Sequence, residues 1–274
     1  MANLRMCPHC RAFVPASVRA CTECGLVLGR REKRPSLGGA AIAGLVPPTH
    51  FTTLILMVVN FGLFAATLIL TMKKADSGGA MASIDPYVLA DFGAKFGPLI
   101  QAGQWWRLIT AGFLHGGLFH ILMNSWALYD LGAQVEQTYG TARFLVLYIV
   151  SCAAGFWASL WWSPATLSIG ASASIFGLIG AMIANYTRNR SWVGAEMKAI
   201  YVRWAIYGLL FGLLPMFNID NAAHLGGLAA GFLLGYVAAE PGPRVMEWFW
   251  RAAAVFALLI AAASFGLVWL AYPR

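Results

Sequence analysis

Long apolar runs broken by short polar stretches dominate this chain from about residue 50 onward. Windows near 52–72, 108–130, 143–162, 170–187, 199–216, 221–239 and 251–271 are long and apolar enough to cross a hydrocarbon core of about 30 Å at 1.5 Å per residue. The pattern predicts an all-α polytopic membrane protein with seven spans. The first 50 residues read differently. They carry charge, Cys and Pro where a signal peptide needs an apolar segment, so the first helix is expected to act as its own insertion signal. The expected organisation is a small cytoplasmic domain over 1–34, a Gly/Pro linker over 35–50, a six-helix core over 51–240 and an additional C-terminal transmembrane helix within 241–274.

Composition agrees: 59% of the residues are hydrophobic and 11% charged, which excludes an ordinary soluble domain. The formal charge of +8 matters through its placement. With the N-terminus inside, 14 of the 19 Lys and Arg fall in cytoplasmic segments, and only Lys73, Lys74, Lys95, Arg107 and Arg274 fall on the other side. Basic loops resist export, so the N-terminus is expected in the cytoplasm and the C-terminus outside. The charge therefore reads as a topology signal, and no nucleic-acid partner is expected.

Four of the five cysteines form two knuckles, Cys7-Pro-His-Cys10 and Cys21-Thr-Glu-Cys24. Two such pairs can bring four thiolates around one tetrahedral metal, and a segment of this size cannot bury a useful core without one. A structural zinc ribbon is expected; iron, a pair of disulfides and a redox motif are the alternatives. A cytoplasmic location disfavours the disulfides. Cys152, inside an apolar helix, reads as a packing residue.

Polar residues deep in apolar helices point to function. Ser172 opens the fourth span and His224 lies early in the sixth, so both fall near the same face of the membrane. A hydroxyl and an imidazole are the nucleophile and base of acyl transfer. Small residues on both helices, Ser174, Gly177 and Ala181 against Gly227, Gly231 and Gly235, would allow close approach; the same glycine run could instead serve a dimer. His120 and Asn124, four apart on one helix, could donate to an oxyanion. Asp220 is expected at a loop boundary facing water, which leaves a Ser-His dyad and no triad.

These residues resemble the rhomboid intramembrane serine proteases over about residues 50–240. The resemblance is carried by Trp106-Arg107, His115, His120 to Asn124, Glu136-xxx-Gly140, Gly170-Ala171-Ser172 and Ala223-His224-xx-Gly227. It implies a rhomboid-like six-helix core with Ser172 as nucleophile, His224 as base, and His120 with Asn124 lining the oxyanion hole. It further implies Phe176 packed on the catalytic imidazole, and Trp106 with Arg107 in a loop partly inside the outer leaflet. One position departs: the family pattern Gly-x-Ser-Gly ends here in Ala173.

The expected activity is hydrolysis of peptide bonds in or near transmembrane segments of protein substrates in a lipid bilayer, with no cofactor needed for the chemistry. A prokaryotic cell (inner) membrane is the expected location, and the ribbon could recruit a cytoplasmic partner. The alternative is an inactive adaptor of the same fold that binds transmembrane clients. A transporter is disfavoured because no charged pair or inverted repeat marks the midplane.

Overall fold

The computed structural model describes residues 4–6, 13–15, 18, 20–23, 51–74, 83–188, 191–214, 218–238 and 244–272. The chain divides into two units, Met1–Val46 and Pro47–Arg274. In the first, strands β1 (Leu4–Met6) and β2 (Phe13–Pro15) pair antiparallel, with Arg5 opposite Val14. Val14 and Cys21 are buried against Val18. Cys7, Cys10 and Cys24 lie outside the described residues, so the four-thiolate site does too.

The second unit is a helical bundle. α1 (Phe51–Lys74) leads into α2 (Pro86–Asp91), α3 (Gly97–Gln101) and α4 (Arg107–Thr110), short helices that build the connection to α5 (Leu118–Tyr139). α6 (Thr141–Trp162), α7 (Ser172–Arg188), α8 (Trp192–Phe211), α9 (Asn221–Ala238) and α10 (Arg244–Ala271) complete it. Among the described residues, α1, α6, α9 and α10 are long and apolar enough to cross a membrane.

Two elements differ from the sequence expectation. The second long helix starts at Leu118, ten residues after the apolar window opened, and runs on to Tyr139. Residues 107–113 are apolar because they pack in the folded connection: Ala111 and Leu114 are fully buried there. A hydropathy window cannot tell that burial from immersion in lipid. The fifth long helix starts at Trp192, seven residues early, because Ser191 caps it with its hydroxyl accepting from the Gly194 amide at 3.0 Å. It ends before Pro215.

α7 sits at the centre, packed against α5, α6, α8 and α9, and is buried from Ala173 through Met182. Its 17 residues make a rod of about 25 Å, shorter than the hydrocarbon thickness. Its closest neighbour is α9, along a seam of matched small residues. A Cβ on Gly227 would strike the Ala173 carbonyl, one on Gly231 the Gly177 carbonyl, and one on Gly235 would come within 2.6 Å of the Ala181 backbone. The glycine run of α9 is therefore used within the chain. On α7 the seam residue is Ala173, while Ser174 is turned away and fully buried.

The far end of the bundle is fixed by buried polar contacts. Glu136 accepts hydrogen bonds from the Thr52 and Thr141 hydroxyls, each at 2.6 Å, and ties α1 to the α5–α6 turn. Gly140 makes that turn at φ +78°, where a side chain would be strained.

Candidate active site

Ser172 is reached through the segment after α6. The Gly170 amide donates to the Ala111 carbonyl at 2.9 Å, and Ala171 is fully buried. Gly170 adopts φ +121°, and a Cβ there would lie 2.6 Å from Nε2 of His120 and 3.6 Å from Oγ of Ser172. Only glycine lets that imidazole rest against the backbone beside the serine. Ser172 itself is the first residue of α7, half-buried, where unpaired backbone amides face a developing negative charge.

His224 lies in the first turn of α9, 5% exposed. Its ring stacks on Phe176 with centroids 4.1 Å apart and planes 10° from parallel. Phe176 is one turn beyond Ser172, so the stack fixes the imidazole against the same turn that carries the hydroxyl. Ala173 meets Gly227, one turn after His224, and a Cβ on Gly155 would meet both Ala173 and the Ala223 carbonyl, so the start of α7 lies beside the first two turns of α9. Among the described residues, the buried His224 Nδ1 has no hydrogen-bond partner.

Asp220 does not face water as expected. One of its oxygens accepts from the Ser159 hydroxyl and the other from the Ala223 amide at 3.0 Å, while its carbonyl accepts the His224 amide at 3.1 Å. It caps α9, and none of its recorded hydrogen bonds goes to the His224 ring.

On α5, His120 Nδ1 accepts from the Gly116 amide at 3.4 Å, which assigns the ring proton to Nε2, the atom beside Gly170. His115 is 1% exposed and meets His120 edge-on with centroids 5.1 Å apart. Asn124 spends one amide N–H on the His120 carbonyl at 3.0 Å. The structure thus brings His120 to the serine, while Asn124's recorded bond is to its own helix.

Trp106 and Arg107 serve the α1–α5 connection instead of the serine. Arg107 is 5% exposed; its Nε donates to Gln104 at 2.7 Å and its Nη1 to the Ala90 and Ala94 carbonyls at 2.6 and 2.9 Å. Burial lowers its pKa, and Asp91 opposes that shift. Trp106 is the residue that precedes α4, and its buried Nε1 has no hydrogen-bond partner among the described residues. A residue that sequence reasoning missed is Lys95, fully buried in the same connection with Nζ 2.5 Å from the Ser163 carbonyl and 3.1 Å from that of Thr166. Its only sequence signal was a positive charge counted for topology. Among the described residues no group of three or more His, Cys, Asp or Glu side chains could hold a metal.

The fold and site define a multi-pass integral membrane protein with a serine and a histidine on adjacent buried helix ends. The Rhomboid domain family matches residues 102–241, and the chain belongs to that family. It is 39% identical over 170 residues to "Rhomboid protease GluP" of Bacillus subtilis, covering 62% of this chain and 33% of that protein. It is 32% identical over 232 residues to "RHOMBOID-like protein 5" of Arabidopsis thaliana, covering 76% of this chain and 72% of that one. "Rhomboid-like protease 3" of Toxoplasma gondii is 33% identical over 163 residues, covering 57% and 60%. The chain spans about a third of the length of the first of these relatives.

Proposed function

We propose that the chain is an intramembrane serine endopeptidase that cleaves transmembrane protein substrates through Ser172 and His224. The observation that supports this reading is that Ser172 and His224 lie in the first turns of the adjoining helices α7 and α9, with the His224 ring stacked on Phe176 one turn beyond the serine. Relatives named as proteases support it.

In this reading Ser172 Oγ attacks the scissile carbonyl carbon as His224 takes the hydroxyl proton. The tetrahedral oxyanion is stabilised by backbone amides at the start of α7, by Nε2–H of His120 and by the second amide proton of Asn124. His224 then returns the proton to the leaving amine, and an acyl-serine remains. A water that gives a proton to His224 attacks this ester and regenerates Ser172. An imidazole that is already protonated cannot take the serine proton, so activity falls on acidification. All seven long helices are taken as spans, with the N-terminus in the cytoplasm by the distribution of Lys and Arg. Cys7, Cys10, Cys21 and Cys24 are taken as ligands of a structural zinc, with any cytoplasmic partner bound through that ribbon.

The test is cleavage of a fluorescent transmembrane peptide by purified wild-type and Ser172→Ala protein in detergent. Cleavage lost only in the variant supports the dyad; equal cleavage by both refutes it.

A further inference from the structure

Lys95 is fully buried, and nothing in the proposed chemistry uses it. Its contacts nonetheless converge on one short segment, residues 163–168, which leads into the serine. Nζ donates to the carbonyls of Ser163 and Thr166, and the Lys95 backbone exchanges both hydrogen bonds with Ser168, each at 3.0 Å. Two residues on, the Gly97 amide donates to the Pro164 carbonyl at 2.8 Å. The segment is thus gripped along its length, and Ser172 follows Ser168 by four residues.

The same grip reaches the histidine by a second route. Ser163 closes α6, and one turn earlier Ser159 donates to Asp220. Asp220 caps the helix that carries His224. It is also the charge that supports the Lys95 ammonium: burial lowers the lysine's pKa and Asp220 opposes the shift. The cation and the carboxylate therefore sit on either side of the α6 terminus, one holding the approach to Ser172 and the other the start of α9. Carbonyls at a helix C-terminus favour a cation, so a merely structural cap is the competing account.

We propose that Lys95 and Asp220, through their contacts with Ser163, Thr166 and Ser159, clamp the end of α6 between them and so set the reach between Ser172 and His224, which makes both of them positioning residues for the dyad. The inference rests on the protease reading above.

The experiment follows labelling of Ser172 by a small fluorophosphonate in full-length protein, together with kcat and KM on the transmembrane peptide. A loss of folded protein lowers the labelled amount and leaves the rate constant of the folded fraction unchanged; a displaced dyad lowers the rate constant itself. Misplacement by about an ångström can cost on the order of 100-fold. We expect Lys95→Met to slow labelling and kcat by about 10- to 100-fold with KM held within a few-fold, and Asp220→Asn to do the same to a lesser degree. Because the two act as one clamp, the double variant should lose little more than the worse single one. Lys74→Met, a charge deletion at the exposed end of α1, should label at the wild-type rate.

A wild-type rate constant in folded Lys95→Met overturns the clamp. If that variant does not fold, a wild-type rate in Asp220→Asn overturns it instead. Fully additive losses in the double variant overturn the coupling. Wild-type protein that is not labelled, or Ser172→Ala that is labelled equally, would sink the dyad itself and the clamp with it.

Discussion

Ala173 stands where the family pattern has glycine, and its methyl group has a place. A Cβ added to Gly155 of α6 would lie 2.8 Å from the Ala173 Cβ and 2.6 Å from the Ala223 carbonyl. The neighbouring helix has thus made room with a glycine of its own, and the departure is absorbed by packing beside the serine. Gly155→Ala should push α6 off the α7–α9 seam, cost about 1–3 kcal/mol of stability in detergent unfolding, and lower peptide cleavage. Ala173→Gly should be milder, about 1 kcal/mol, with cleavage within a few-fold of wild type. At this scale Ser172 and His224 stood out because polar groups in apolar helices have few uses, whereas Phe176 was marked only by the family resemblance. Lys95 and Asp220 did not stand out. A lysine in a connection reads as a solvated charge, and an aspartate ahead of a helix reads as exposed; only the tertiary contacts with Ser163 and Thr166 bury the lysine, and only that with Ser159 ties down the half-buried aspartate.

Among the elements, α10 does more than add a span. At one end Arg143 of α6 pairs with Glu247 at 2.6 Å and lies 5.5 Å over the Trp250 ring. At the other end α10 meets the connection that precedes α5: Phe265 packs edge-on to Phe113 with centroids 5.5 Å apart, Tyr272 packs against Phe92 at 5.9 Å, and a Cβ on Gly93 would touch Val268. The helix braces the layer that holds Arg107 and Lys95. Phe265→Ala removes part of that brace and should cost about 1–3 kcal/mol, since the ring is only half-buried. Limited proteolysis should then cut within residues 83–113 sooner than in wild type. The sequence indicated a helix here from its apolar run, but what the helix braces depends on contacts between residues 152 to 180 positions apart in the chain. The α7–α9 seam was more readable, because glycine at every fourth position marks one helix face whatever its partner. On its partner α7 the sequence marked Gly177 and Ala181 as well, and the structure replaces only Ser174, by Ala173.

For the molecule as a whole, every residue assigned to the chemistry lies in the second unit, Pro47–Arg274. Cys7→Ser in full-length protein should therefore leave peptide cleavage in detergent close to wild type while lowering bound zinc, measured by metal analysis. Abolished cleavage would make the ribbon part of the catalytic machinery. The helical class and the order of the site motifs were readable from hydropathy and polar exceptions; the start of α5 was not, because a folded connection and a lipid-facing helix are equally apolar.

The central helix is about 5 Å shorter than a bilayer's hydrocarbon core, and it begins at Ser172, the nucleophile of the proposed function. That shortfall acts as a depth gauge. Under the proposed function a client would be cut where its own backbone can loosen at that level, so sliding a helix-breaking residue by one turn should shift or silence the cut. Lipids with longer chains, which move the surface relative to Ser172, should shift the preferred position along the client in the same sense.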